Sequence, residues 1–541
     1  MQALSLQNTI ISYDPDSAFQ DLDDILRTRL EGKLAYTLDD LHDPFLLPDM
    51  KKAVERIKKA HENKEKVMIF GDYDVDGATS TALLMHFFTK IGIAVSYRLP
   101  TREKDGYGMK NYFIDEIGEV GATLIVTVDC GTRDIEVIKY ANTKGIDVIV
   151  TDHHAVPEYI PEEAIAIINP KRTDSKYPFP HLCGAVAFKL ICALLPDFFP
   201  GSEKREKYIT SCLDIVALGT TADCMPLTEN RALVAMGLEQ LKNTRSKGIE
   251  KIIADRKIYD LDADIFGFTL GPRLNAAGRI DRPHTAVQLL LNNSHGIDDI
   301  LADIEAKNEE RKLLSQEYFQ DALETIDEKN QVLFYDSAEI PHGIIGLVAG
   351  KLTEMYFCPS IVLKDEEKLV ASCRSPEHFS LVEYLEKYKE YFVYFGGHKQ
   401  AAGFTIRKEK YDDFRKTFTA DVNTLDFSQY KKTISVVQVL TPEAFGMHIL
   451  DTVLRYKPYG MAYEKPLFAL VDFPVERIEY MGKSIDHLTV KNRWNIPLLG
   501  FNLGKYVDEL RGKKSVNLVV DLFEDYWMGK RQVKAKIVDI F

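Results

Sequence analysis

Between Val67 and Ser80 the chain reads VMIFGDYDVDGATS, and Asp72, Asp74 and Asp76 stand two apart just after a short apolar run. Three carboxylates within five residues repel one another, and a fold keeps them where cations neutralise the charge. A single Asp-rich turn capping a helix would account for one such stretch. The pattern recurs, however. LIVTVDCGT places Asp129 at the end of a second apolar run, and DVIVTDHHAV places Asp152, His153 and His154 at the end of a third. Carboxylates and imidazoles delivered together from three strand ends suit divalent metal ions. A pair of such ions activates water and stabilises a leaving oxygen, which is hydrolytic chemistry.

The elements that must position these groups follow from periodicity. Short apolar runs predict strands at Val67–Phe70, Ala94–Leu99, Leu124–Val128, Val148–Thr151 and Ala164–Ile168. Helical stretches lie between them, among them Ala78 to Thr89 and Arg133 to Lys144, so the strands form a parallel sheet. In such sheets ligands bind beyond the carboxyl ends of the strands. After the second strand comes Arg102 in a glycine-containing loop. Helices are expected at Gly184 to Leu195 and Tyr208 to Gly219, with Asp223 just beyond the second. GPRLNAAGRI, Gly271 to Ile280, is rich in turn residues, and its small side chains would let a nucleic-acid backbone approach. A long charged amphipathic helix is expected from about Ile297 to Ile326 as a connector.

A second α/β domain is expected from about Val332 to Val422, with strands at Val332–Tyr335, Pro359–Leu363 and Leu369–Arg374 and a helix beginning at His342. Ser372 and Arg374 close one strand, and Gly396-Gly397-His398 comes from a separate loop; both sets suit phosphate. From about Phe427 onward, many short strands predict a small barrel of the OB type, with Tyr480, Trp494 and Trp527 as candidate stacking rings.

GDYDVDG, VTVDCGT, TDHH and ALGTTADCMPL, in that order, resemble the four motifs of the DHH phosphoesterase superfamily. GGHKQAAGF resembles the signature of its associated C-terminal domain. With GPRLNAAGRI and the total length, the chain resembles the RecJ family of single-strand-specific 5′→3′ DNA exonucleases. The resemblance implies an α/β fold: an arm at 1–47, a parallel-sheet DHH domain at 48–290, a connector helix at 291–330, a second α/β DHH-associated domain at 331–426 and an OB-like barrel at 427–541. It implies two divalent ions, Mn²⁺ preferred over Mg²⁺, on Asp74, Asp76, Asp129, His153 and Asp223. His154 would contact or protonate the scissile phosphate, with Asp72 and Asp152 supporting the site. Arg102, Arg273, Asn275, Arg279, Ser372, Arg374 and His398 would bind phosphate and DNA. Some superfamily members carry a metal-binding histidine where this chain has Phe70, so one ion would lean on substrate phosphate. Implied too are single-stranded DNA as substrate, roles in repair and recombination, and a monomer that meets single-strand binding protein and a helicase.

Composition bounds the rest. The 541 residues suffice for several domains. No apolar run reaches membrane-spanning length, and MQALSLQNTIISYD lacks the basic and apolar regions of a signal peptide. Seven cysteines without a CxxC spacing predict reduced thiols in the cytoplasm. The net charge is −14, yet residues 431–541 carry 17 Lys and Arg against 13 Asp and Glu, which favours a polyanion at that module. Two other readings compete. One is a phosphodiesterase of oligoribonucleotides or cyclic dinucleotides, which would not need the last module. The other is a catalytically dead single-strand-binding replication factor, which would not need its metal ligands.

Overall fold

The computed structural model describes residues 1–30, 32–102, 104–258, 261–280, 283–291, 296–427, 429–482, 485–527 and 530–541. The chain divides into two compact units. One is Ala35–Leu425 with Gly460–Ala462; the other joins Met1–Leu34 to Asp426–Tyr459 and Tyr463–Phe541.

The larger unit is built on five strands, β1 Lys66–Gly71, β2 Ala94–Arg98, β3 Ala122–Val128, β4 Asp147–Thr151 and β5 Ala166–Ile168. All pair in parallel, in the order β2-β1-β3-β4-β5. The apolar run of β1 is buried on both faces, as a central parallel strand requires. All five expected strands are present with ends shifted by at most two residues. Helix α1, Val75–Lys90, starts three residues before the predicted Ala78, because the Asp74 carboxylate caps it by accepting from the Gly77 amide at 3.0 Å. It is buried nearly all round and packs against α2, Leu213–Ala222. The stretch expected as one helix from Tyr208 to Gly219 is two, Ser202–Thr210 and α2.

GPRLNAAGRI is not a turn. Residues Gly271–Arg279 form helix α3. The small residue at Gly278 serves packing inside the protein: a Cβ there would lie 2.2 Å from the Tyr73 carbonyl oxygen. The helix thereby comes against the aspartate run itself. The connector is a single helix, α4, Ile297–Thr325, packed on α3 and on α5, His342–Tyr356.

The second sheet of this unit comprises β6 Leu333–Ser337, β7 Ser360–Asp365, β8 Lys368–Arg374, β9 Phe392–Gly397 and β10 Ala401–Arg407, ordered β9-β10-β8-β7-β6. β9 and β10 were not expected; GGHKQAAGF reads as a loop for want of an apolar period, yet it is a hairpin. The His398 amide donates to the Ala401 carbonyl at 2.8 Å across its turn. β10 pairs with β8, setting Ala401 opposite Arg374 and Gly403 opposite Ser372.

In the smaller unit seven strands form one mixed sheet, in the order Gln438–Val439, Phe468–Pro474, Ser515–Trp527, Lys530–Ile540, Leu498–Gly500, Leu488–Lys491 and Arg477–Tyr480. The helix Met447–Arg455, unforeseen in the sequence, buries Ile449, Leu450 and Val453. The N-terminal arm differs from expectation. Its residues Met1–Leu34 belong to this unit, while Ala35 onward belongs to the larger one. Ile10–Ser12 pairs in parallel with Thr433–Ser435, the Gln438 amide donates to the Ser17 and Gln20 carbonyls at 3.0 and 2.8 Å, and Ser5 Oγ donates to Asp539 at 2.8 Å. Contacts more than 400 residues apart leave no trace in local pattern.

Candidate metal centre and phosphate pocket

The carboxyl ends of β1, β3 and β4 bring their acidic and imidazole groups to one place, and Asp223 joins them from the end of α2. His153 Nε2 lies 3.0 Å from Asp129 Oδ1, 3.4 Å from Asp223 Oδ2 and 3.8 Å from Asp76 Oδ2. Three sets of donor atoms each fall within 4.8 Å: Asp129, His153 and His154; Asp76, His153 and Asp223; Asp72, Asp74 and Asp129. The five expected ligands are all included. Asp72, expected to act only in support, is grouped with them, so its carboxylate is a candidate ligand. Phe70 is fully buried and packs on Phe113, with ring centroids 5.2 Å apart, directed into the core rather than at the cluster.

The backbone is bent to make this cluster. Asp129 sits at φ +61, a conformation a non-glycine residue rarely adopts, while its amide still bonds the Thr151 carbonyl at 3.0 Å. Asp76 lies in a slot between two glycines. Gly184 donates its amide to Asp76 Oδ1 at 2.8 Å, and a Cβ on Gly184 or Gly219 would lie 2.3 or 2.9 Å from that oxygen.

The electrostatics separate the groups by role. Burial, then the charges of Asp74, Asp76, Asp72 and Asp223, push Asp129 well above the carboxylate range. Burial and Asp74 raise Asp76 to about 7. Burial, then neighbouring carboxylates, also raise Asp72 and Asp223. Asp152 goes the other way. Burial opposes its charge, but the His154 hydrogen bond and the His154 and His153 charges outweigh it. Its two oxygens accept from the His153 and His154 amides at 2.7 and 3.0 Å, His154 Nδ1 at 2.9 Å and the Thr132 amide at 3.0 Å. Asp152 therefore organises the turn and fixes His154. Burial, then the charge of His154, holds His153 down at about 3, neutral and free to ligate.

Asp72 Oδ1, Asp76 Oδ2, Asp223 Oδ2 and His153 Nδ1 are buried without hydrogen-bond partners. Buried polar atoms normally have partners, and the three carboxylate oxygens among these mark a place for something electropositive. Hard carboxylate oxygens with an imidazole fit divalent cations.

A pH dependence follows. Asp76 is raised to about 7 from an ordinary 3.8. Between those values the metal-free folded protein retains a proton that the unfolded chain has released, so its stability falls as pH rises through that window. In chelator, the melting temperature of the native protein should fall more steeply from pH 5 to 8 than that of Asp76→Asn. Parallel curves would show that Asp76 does not carry this proton.

Beside the cluster lies a cationic pocket. The Arg102 guanidinium stands 4.3 Å over the Tyr73 ring. Arg279 donates to the Gly343 carbonyl at 3.0 Å, and Arg374 donates to Ser372 Oγ at 3.2 Å and to the Cys373 carbonyl. A cavity of about 120 Å³ is lined by Arg102, Arg279, Glu310, His342 and Gly343. Burial, then the charges of Arg102, Arg311 and Arg374, lower Arg279 to about 9. Among the described residues none of these four arginines forms an ion pair. Asp72 and Asp74 act on Arg102 and Arg279 from the cluster and Glu310 lines the cavity, yet guanidinium groups crowded together are relieved by an anion. His398 lies on the β9–β10 turn, and burial, then the charges of Lys171, His154 and Arg133, lower its pKa.

Two of the expected phosphate residues are placed otherwise. Arg273 is buried, with Nε on Glu305 at 2.6 Å and a second nitrogen on the Thr269 carbonyl, so it ties α3 to α4. Asn275 Oδ1 accepts from the Val75 amide at 3.3 Å and so holds the start of α1.

Three family models match stretches of the chain. Residues 66–220 match the DHH family N-terminal domain, 329–424 the DHHA1 domain and 438–539 the RecJ OB domain. The single-stranded-DNA-specific exonuclease RecJ of Escherichia coli is 32% identical over 524 residues, covering 92% of this chain and 90% of that protein. The chain belongs to the RecJ family. RecJ of Bacillus subtilis is 34% identical over 519 residues, and there the alignment covers 92% of this chain but 64% of the relative, under two thirds of its length. The crystal structure of Thermus thermophilus RecJ in complex with Mn²⁺ superimposes with a TM-score of 0.82 at 23% identity, covering 98% of this chain and 79% of that one, so the fold is shared. No helix among the described residues is long and apolar enough to cross a membrane, and all seven cysteines are free.

Against the RecJ motifs, two residues of the site escaped notice in the sequence. Tyr107 donates its hydroxyl to the Asp129 carbonyl at 3.2 Å and lies 3.2 Å from His154 Nδ1. Asn169, fully buried just past β5, donates to the His154 carbonyl at 3.0 Å and to Thr132 Oγ1 at 3.1 Å. Neither carries a local signal, although Asn169 does follow a strand end on the edge that the topology marks.

Proposed function

We propose that this protein is a metal-dependent exonuclease that degrades single-stranded DNA from its 5′ end to 5′-mononucleotides, acting in DNA repair and recombination. The observation that carries the reading is the arginine pocket closing one side of the acidic cluster: a terminal phosphate held there sets the first linkage over the ligands. Asp72, Asp74, Asp76, Asp129, His153 and Asp223 would hold two divalent ions, with Mn²⁺ preferred because an imidazole is among the ligands. Bound there, such ions supply an activated water and stabilise the leaving oxygen. His154 is kept protonated by Asp152, which accepts from its Nδ1–H against the effect of burial, and its Nε2 proton is the one offered to an oxygen of the scissile phosphate. Arg374 and Arg279 orient the terminal phosphate, with Ser372 alongside, and Arg102 is fixed by the Tyr73 ring beneath it. His398, on the second sheet, would contact an oxygen of the same phosphate.

The smaller unit, with its RecJ OB match, favours a polymeric substrate over a dinucleotide. Ligands converging from four segments favour catalysis over a binding role alone. We further propose a monomer in the cytoplasm that works beside single-strand binding protein and a helicase. The test is product analysis. With Mn²⁺ or Mg²⁺, strands labelled at the 5′ end should release labelled mononucleotide from the first turnover, and chelator should stop it. Internal fragments, or equal attack on duplex, would reject the assignment.

A further inference from the structure

We propose that Lys171 is an additional substrate-binding residue, gripping the backbone phosphate that follows the scissile linkage; the inference rests on the exonuclease reading above. The carboxyl edge of the parallel sheet carries, in the strand order β2-β1-β3-β4-β5, Arg102, the Asp72–Asp76 run, Asp129, the His153–His154 pair and Lys171. The anionic cluster is thus flanked by a cation on each side. On the β2 side, Arg102 joins the pocket that would take the terminal phosphate. A strand led across the cluster from there reaches the β5 side next.

The loop after β5 is built to hold Lys171 still. Asn169 Oδ1 accepts from the Lys171 amide at 2.9 Å, while the same side chain donates to the His154 carbonyl at 3.0 Å. One buried asparagine therefore ties Lys171 to the catalytic turn. The following Arg172 donates to the Ile167 carbonyl at 2.8 Å and to Asp49 at 2.6 Å, and its fork grips Asp174 at 2.9 and 2.7 Å. The backbone is anchored on both sides of Lys171, yet its ammonium makes no hydrogen bond or ion pair among the described residues. Asp223 and Asp152 are its acidic neighbours, and it also faces His153 and His398. A half-buried cationic side chain normally takes a carboxylate partner, as Arg172 does next door. Leaving Lys171 without one, on a fixed loop beside an oligoanion site, reserves it for the substrate.

The alternative is that Lys171 only offsets the charge of the cluster, and the two roles separate experimentally. 5′-Phosphorylated oligonucleotides would each carry one uncharged methylphosphonate at the second, third or fourth linkage, and kcat/KM would be measured at saturating Mn²⁺. On the all-phosphate strand Lys171→Ala should lose about ten- to hundred-fold, the worth of one charge-assisted contact. Lys171→Arg should recover part of it. Neutralising the second linkage should cost the native protein a similar factor and Lys171→Ala almost nothing, whereas the third and fourth should cost both alike. The proposal is overturned if the second-linkage substitution costs Lys171→Ala as much as the native protein. It is equally overturned if the defect of Lys171→Ala disappears as Mn²⁺ is raised, which would mark a role in metal affinity. If the native protein releases no nucleotide from the all-phosphate strand, the exonuclease reading itself falls and takes this assignment with it.

Discussion

Replacing Asp129 by Asn should lower nucleotide release by about 10³-fold or more, since a ligand shared between two groups of donors is worth several kcal/mol at the transition state. Asp129 is the one carboxylate placed both with His153 and His154 and with Asp72 and Asp74. His153→Ala should be equally damaging, because its neutral ring is common to both groupings that hold a histidine. The metal-free protein should not lose stability in step. Asp129 is buried among four other carboxylates that all oppose its charge, and an amide of the same shape removes that opposition. Thermal unfolding in chelator should therefore show Asp129→Asn melting no lower than the native protein. Added Mn²⁺ should raise the native melting temperature and leave that of Asp129→Asn nearly unchanged, because only a protein that binds the ion is stabilised by it. A folded Asp129→Asn protein with near-native turnover would sink the metal assignment.

The second large effect concerns the end of the strand. Arg374 presents its guanidinium beside Ser372 at the end of β8, across from the small residues of β10, with no acidic partner among the described residues. Contacts of a guanidinium with phosphate are worth roughly 1.5–3 kcal/mol, on the order of ten- to hundred-fold. Arg374→Ala should accordingly reduce kcat/KM for a 5′-phosphorylated strand by that factor and barely affect a 5′-hydroxyl strand. Lys at this position keeps a charge but loses the fork, so recovery should be partial. The ratio of kcat/KM for the two ends, in both proteins, is the measurement. An unchanged ratio, even with both rates lower, would mean that Arg374 follows the backbone and does not read the terminus.

The candidate metal ligands were legible in the sequence because each sits where local pattern and topology coincide. A buried parallel strand needs an unbroken apolar run, so β1, β3 and β4 announce themselves, and whatever follows such a run lies on the ligand-binding edge. Asp72, Asp74, Asp76, Asp129, His153 and His154 were placed by that rule alone, and the charge repulsion among them gave the reason for a cation. Asp223, at the end of a helix, needed the family motif as well.

Tertiary structure decided what each polar side chain has left to offer. Arg273 and Arg279 stand six apart in one motif, yet the first is spent on Glu305 and the second lines an open cavity. No periodicity separates them, since the difference is the position of a glutamate on another helix. Gly278 looked like room for a nucleic acid and is room for the Tyr73 carbonyl. GGHKQAAGF lacks a strand's apolar alternation because its small residues let β10 lie close to β8, so the hairpin reads as a loop. Residues Met1–Leu34 of the arm join the last module through pairing with Thr433–Ser435, a partner fixed by the folded chain and invisible along it. Lys171 and Asn169 follow a strand as short as three residues, and only the sheet order shows that its end completes the same edge. Sequence determined which groups reach the edge of the sheet; packing determined which of them remain unpaired there, because a side chain's hydrogen-bonding partners come from whichever elements the fold brings alongside it.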